Sequence, residues 1–266
     1  MKRRIGIDAG GTLTKLVYSE RNRLHFKTYQ MDETSELINW LNMVGDDCEL
    51  CLTGGKAPQV EKKSMRTWRH IDEFTALVSG TQYLLETEQR SSIKEYILVN
   101  IGTGTSFFYV TPDGFERLLG SGLGGGTLLG LGRLLTGSED FRDLTAMATE
   151  GDSSRIDLLV KDIYQGDTPL MDGLTAANFG KAYSQKVIAA DRAAGLFRMI
   201  GENLLLLASQ AAMLKQSKYI VFIGSTLKSN APLKKILAGF KDMLPLEKVF
   251  PEKGSHAGAL GAWLDR

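Results

Sequence analysis

Asp8 ends an apolar run, Ile5-Gly6-Ile7-Asp8, and Ala9-Gly10-Gly11-Thr12-Leu13-Thr14-Lys15 follow at once. A carboxylate at a strand tip, two glycines, two hydroxyls and an ammonium are the parts that hold a nucleotide's terminal phosphates. Glycines let backbone N–H groups approach an oxyanion closely. Thr12 and Thr14 add hydroxyl donors, and Lys15 adds positive charge. Asp8, an acceptor only when ionised, suits Mg²⁺, directly or through its waters. An ordinary hairpin also uses a Gly-Gly turn, so this segment alone leaves both readings open.

The same plan recurs. Tyr96-Ile97-Leu98-Val99 reads as a buried strand, Asn100-Ile101-Gly102-Thr103-Gly104-Thr105-Ser106 as a turn, and Phe107-Phe108-Tyr109-Val110 as the returning strand. Neither turn has the spacing of a Walker loop or of a dinucleotide-binding G-x-G-x-x-G. A third cluster, from Gly120 to Thr127, runs into Leu128-Leu129-Gly130-Leu131. A glycine loop feeding a helix offers unpaired N–H groups and the positive end of the helix dipole to an anion. A flexible linker would not end so abruptly in an apolar, helix-compatible segment.

These turns need strands and helices to position them. Segments near 4–9, 13–19 and 23–29 predict an antiparallel meander, followed by a helix over 33–43, a strand over 48–53 and a helix from 73 towards 85. After the second hairpin, helices are expected near 127–136, 140–149 and 175–215, a buried strand over 219–223, and helices over 230–240 and 256–264. Strand–turn–strand units followed by crossover helices, occurring twice, predict an α/β protein of two related lobes, 1–90 and 91–266, with a nucleotide cleft between them. Residues 181–215 contain no proline and carry apolar side chains at spacings of three and four. That pattern fits either one long helix able to reach a second copy or two helices broken near Gly195 or Gly201.

Composition narrows the class. The 266 residues allow one large domain or two smaller ones, and a net charge of +1 with 24% charged residues gives no nucleic-acid surface. No apolar run approaches a membrane span, and no signal-peptide core follows Met1-Lys2-Arg3-Arg4, so a soluble, cytoplasmic protein is expected. Cys48 and Cys51 fall on one strand three residues apart, pointing to opposite faces, which suits two reduced structural thiols.

D-x-G-G-T-x-x-K, N-x-G-T-G-T-S and G-x-G-x-G-G-G-T together resemble the actin-like, ribonuclease H-like superfamily of sugar kinases, chaperone ATPases and actin. Leu52-Thr53-Gly54-Gly55, Glu73-Phe74, Leu174-Thr175-Ala176-Ala177-Asn178-Phe179-Gly180 and Ile223-Gly224-Ser225 extend the resemblance to the type II pantothenate kinases. It implies an ATP- and Mg²⁺-dependent kinase acting on the primary hydroxyl of pantothenate, and a homodimer. Glu73 falls on the family's general base, and Arg117 on the arginine that neutralises the transferring phosphoryl group. Thr103 becomes a phosphate and acceptor-side contact, Gly125, Gly126, Thr127, Leu128 and Leu129 line the β-phosphate, and Phe141 and Ser225 lie near the nucleoside. Without the resemblance, Asp72 and Glu73 read as helix-start acids, with Asp72 the cap. Two other functions share this pattern: a kinase of an amino sugar or related metabolite, and a nucleotide-binding activase or regulator. No Cys/His cluster marks the zinc-binding branch of sugar kinases.

Overall fold

The computed structural model describes residues 3–44, 47–164, 173–184, 186–239 and 245–265. In the first half, β1 (Arg3–Ala9), β2 (Leu13–Glu20) and β3 (Arg23–Gln30) form the expected meander. After α1 (Thr34–Met43), β4 (Cys48–Thr53) adds parallel to β1. Beyond α2 (Ala57–Glu61), β5 (Trp68–His70) adds parallel to β4, and α3 (Glu73–Thr87) follows. The strand order is β3-β2-β1-β4-β5.

The second half repeats the plan with β6 (Tyr96–Ile101), β7 (Thr105–Thr111) and β8 (Gly114–Ser121) as the meander. Then come α4 (Gly125–Thr136) and α5 (Phe141–Glu150), and a short strand pair, β9 (Leu158–Leu159) and β10 (Thr175–Ala177), flanking α6 (Val160–Ile163). The chain continues through α7 (Ala189–Leu214), β11 (Tyr219–Ile223), α8 (Ala231–Leu237), β12 (Glu247–Val249) and α9 (Ala257–Leu264). Strands β11 and β12 add in parallel beside β6, giving β12-β11-β6-β7-β8, the first sheet's order over again. The inner strands β1 and β6 are nearly all buried because both faces are covered, and the edge strands β3 and β8 carry the charged and exposed residues.

Three apolar layers hold the two sheets. Ile5, Ile7 and Leu16 pack on Leu37 and Leu41 of α1. Between the sheets, Leu77 and Leu84 of α3 and Leu260 of α9 meet Leu98, Phe108 and Val221. On the far side, Phe107, Ile220 and Phe222 pack against Phe197, Ile200 and Leu204 of α7. Phe107 and Phe108 thus enter different layers, as strand alternation requires. Helix α9 returns to the first sheet: a side chain at Gly6 would strike the Ala259 carbonyl and the Trp263 amide. Among the described residues no helix is long and apolar enough to cross a membrane.

Several expectations need correction. The helix predicted over 175–215 begins only at Ala189, because Thr175 and Ala177 pair with β9 and Phe179 takes φ of 58°. From there α7 runs unbroken through Gly195 and Gly201. Those glycines admit neighbours: a Cβ at Gly195 would lie 2.6 Å from Ile156 Cγ2, and one at Gly201 the same distance from Ile236 Cγ2. The helix expected over 230–240 is shorter, running Ala231–Leu237 behind an Asn230 cap, and Phe240 lies outside the described residues. Cys48 and Cys51 are buried free thiols, and burial pushes the Cys51 thiol up to about 11.

Candidate active site

Both Gly/Thr hairpins open on one cleft of about 1790 Å³, larger than the ~300–1,000 Å³ common for a single small ligand. Strand register sorts the first motif's side chains. Asp8 pairs with Lys15 and Lys15 with Thr28, so the three form a row across β1, β2 and β3, and all line the cleft. Ala9 pairs with Thr14 one position on. Ala9 is therefore buried in the apolar layer under α1, and the Thr14 hydroxyl donates to Met31 Sδ at 3.4 Å. This corrects the expectation that Thr14 supplies a phosphate donor. Gly10, Gly11, Thr12 and Leu13 do line the cleft at the turn.

Lys15 Nζ lies 3.3 Å from Asp8 Oδ2, with both side chains about nine-tenths buried. Removing one partner of such a pair leaves a buried charge and costs roughly 3–5 kcal/mol. Room remains around the carboxylate because its neighbours lack side chains. A Cβ at Gly54, where φ is +95°, would stand 2.7 Å from Oδ1, and one at Gly258 2.9 Å from Oδ2. Among the described residues no three His, Cys, Asp or Glu side chains form a metal cage. A carboxylate that lines the cleft beside the first Gly/Thr turn fits Mg²⁺, which keeps several waters and takes its other ligands from phosphate oxygens.

At the second hairpin, Thr103 reaches across to the first, its Oγ1 3.3 Å from Thr12 Oγ1. The glycine loop behaves differently from expectation. Gly125 N donates to Gly102 O at 2.8 Å and Gly126 N to Thr103 O at 2.9 Å. These amides brace the second hairpin rather than standing free for an anion. The glycines make that approach possible: a Cβ at Gly124 would lie 2.6 Å from Thr103 O. Gly125, Gly126 and Leu129 line the cleft, while Leu128 is fully buried and the Thr127 hydroxyl donates to Gly122 O at 2.6 Å. Thr127 and Leu128 therefore lie in the first turn of α4 and do not themselves line the cleft.

Glu73 is the first residue of α3, and Asp72 is its cap, accepting from Thr75 N and Thr75 Oγ1, each at 2.8 Å. Glu73 lines the cleft. Burial, and then the negative charge of Asp8, push its carboxyl above the usual range, with Lys15 acting in the opposite sense. Arg117 comes from β8 of the other sheet, lines the same cleft, and lies over the Phe74 ring at 5.7 Å. A carboxyl held above its usual range and a guanidinium thus share a space with the two Gly/Thr hairpins. Ser225 and Phe141 also line it, although Phe141 in addition packs on the α7 layer, 6.5 Å from Phe197.

Sequence reading missed Asn100, Ser106, Thr28, Thr145 and Lys228 as cleft residues. Asn100 and Ser106 stood inside a quoted motif and Lys228 just past Gly224-Ser225, so position alone could have marked them. Thr28 needs the β2–β3 register.

Two duplicated sheets facing one cleft define the actin-like ATPase fold. Component A of (R)-2-hydroxyglutaryl-CoA dehydratase from Acidaminococcus fermentans superposes with a TM-score of 0.67 at 16% identity, over 99% of this chain and 97% of that one. The activator of 2-hydroxyisocaproyl-CoA dehydratase from Clostridium difficile, solved with bound ADPNP, gives 0.63 at 15% identity, over 98% and 93%. At these identities the likeness is of fold. The chain itself belongs to the Fumble family, which it matches over residues 4–265. A type II pantothenate kinase of Oceanobacillus iheyensis is 42% identical over 264 residues, spanning 98% of this chain and 99% of that one.

Proposed function

We propose that this protein is a type II pantothenate kinase, transferring the γ-phosphoryl group of ATP to the primary hydroxyl of pantothenate to give 4′-phosphopantothenate, the first step towards coenzyme A. The observation that carries this is a proton acceptor and an arginine in the same cleft as two phosphate hairpins, within a chain that matches a type II pantothenate kinase from end to end.

In this reading Gly10, Gly11, Thr12, Thr103 and Lys15 hold the phosphates, while Ser225 and Phe141 border the nucleoside. Asp8, which lines the cleft, would hold Mg²⁺ directly or through its waters. When bound, the metal neutralises charge on the β- and γ-phosphate oxygens. Glu73, ionised, takes the proton of the acceptor hydroxyl as its oxygen bonds to phosphorus and the bond to the ADP oxygen breaks. Arg117 offsets charge on the phosphoryl oxygens during that exchange, a task that suits a planar guanidinium. The lobes divide near residue 90, with α9 contributed back to the first. A cytoplasmic homodimer completes the proposal: Leu206, Met213 and Leu214 leave an exposed apolar stripe on α7, supporting pairing with a second copy. Light scattering of the purified protein tests that stoichiometry, and a monomer would remove the dimer.

The function is tested by Mg·ATP consumption with pantothenate, an amino-sugar panel or no acceptor, with products identified by mass. Pantothenate-dependent formation of phosphopantothenate is expected. Turnover confined to a sugar would replace the substrate, and acceptor-independent hydrolysis alone would favour an activase.

A further inference from the structure

Arg117 needs more than β8 to reach the transferring group. The β7–β8 ladder slips by one residue: Phe107 pairs with Leu119 but Phe108 with Arg117, leaving Leu118 as the extra residue. A bulge of this kind re-aims the side chains beside it. Beyond it, Asn100 pairs with Ser106 and Ser106 with Gly120, a row across β6, β7 and β8 that lines the cleft. The third place in the row has no side chain, and the guanidinium of Arg117 fills it: a Cβ on Gly120 would stand 2.6 Å from Arg117 Nη2. The guanidinium also lies 5.7 Å from the ring of Phe74, which is adjacent to Glu73 in sequence and 5.1 Å from the Phe108 ring.

We propose that Gly120 is a positioning residue for phosphoryl transfer, giving the Arg117 guanidinium its seat against the Phe74 ring. The inference rests on the kinase reading above. Gly120 touches no substrate and acts through Arg117. The local geometry separates this role from folding. After Arg117, the nearest atom to such a Cβ is Thr105 O at 3.6 Å, an ordinary contact, and Gly120 is not among the glycines with left-handed backbone. An added methyl group is therefore accepted by the backbone, and the end of the arginine side chain is what must move.

The test compares wild type, Gly120→Ala, Arg117→Ala, the double variant and Phe74→Leu by kinetics with Mg·ATP and pantothenate. A parallel readout is the ¹⁵Nε–H resonance of Arg117, assigned by its loss in Arg117→Ala. Displacing a charged group by about an ångström costs on the order of 10²-fold, so Gly120→Ala should lower kcat roughly 10- to 100-fold, with KM for ATP and melting temperature unchanged. The double variant should be no slower than Arg117→Ala, because residues acting as one unit do not add. Phe74→Leu should slow transfer less, and the Arg117 resonance should move in Gly120→Ala and in Phe74→Leu. An unchanged kcat and resonance in Gly120→Ala, or losses that multiply in the double variant, overturn the seat. If wild type fails to phosphorylate pantothenate, the kinase reading falls, and the resonance alone decides: movement in Gly120→Ala supports the seat, and a fixed position overturns it.

Discussion

At the scale of single residues, the cleft pairs groups whose surroundings set their work. Glu73 is held above the usual carboxylate range by burial and by Asp8, and only its ionised form can accept a proton. Activity should therefore rise with pH through a displaced glutamate ionisation. The acid limb of kcat/KM is expected above the ordinary glutamate range, and to vanish from the residual activity of Glu73→Gln. That variant should keep ATP binding and lose transfer by about 10²–10⁴-fold, the worth of a positioned general base. Near-normal turnover would remove Glu73 from the chemistry. Arg117→Ala should lower kcat by roughly 10²–10³-fold, as removal of a fixed electrostatic stabiliser does; a loss seen only in KM for pantothenate would make it a binding group. Thr14 is the contrast. Its hydroxyl faces Met31 and not the cleft, so Thr14→Val should leave KM for ATP within about twofold, because it removes no contact to bound substrate or transition state. A large rise in that constant would restore Thr14 to the phosphate site.

At the scale of elements, both hairpins, β4, α3 and β11 were legible because their signals are local: an apolar run, a glycine turn, an acid at a helix start. Strand β8 was not, since Phe115-Glu116-Arg117 is exposed at a sheet edge and shows no alternation of buried and open positions. Thr14 shows the same limit, because only the β1–β2 register reveals which face a side chain takes. The glycine loop was legible as glycine-rich, but its bracing was not: Gly125 and Gly126 donate to carbonyls of Gly102 and Thr103 in the second hairpin, a contact no local pattern marks. Gly195 and Gly201 in α7 were read as a possible break for a similar reason. Packing decides them, as the short gap to Ile236 shows. Gly201→Val should keep the helix and overpack its contact with α8, lowering unfolding free energy by about 1–3 kcal/mol in urea titration. A variant as stable as wild type would mean that α8 can retreat without cost.

At the scale of the whole molecule, the turn into α9 ties the two sheets, and His256 sits at that turn. It is buried; its Nε2 lies 3.2 Å from Thr28 Oγ1 of the first sheet and its Nδ1 3.0 Å from Ser255 Oγ. Burial first, and then the positive charge of Lys228, with Lys15 and Lys253 in the same sense, push its ionisation down to about 4. The sign follows from proton binding. Between pH 6.5, the ordinary histidine value, and about 4, the unfolded chain holds a proton on this residue that the folded chain excludes, so stability falls as pH is lowered through that window. At about 1.4 kcal/mol per pH unit the full loss is about 3 kcal/mol, complete near pH 4. Glu73 and Asp157, both raised chiefly by burial, act in the opposite direction as they protonate. Glu49, lowered first by its hydrogen bond from Arg4, gives up its contribution at lower pH. Total stability against pH therefore mixes signs, and His256→Gln isolates one contribution while keeping a side chain able to bond Thr28. Chemical denaturation at pH 7 and pH 4 should show a smaller loss in the variant than in wild type, by up to about 3 kcal/mol. Equal losses in the two proteins would mean that folded His256 takes up its proton at an ordinary pH, and that the junction of α9 with the first sheet opens to water.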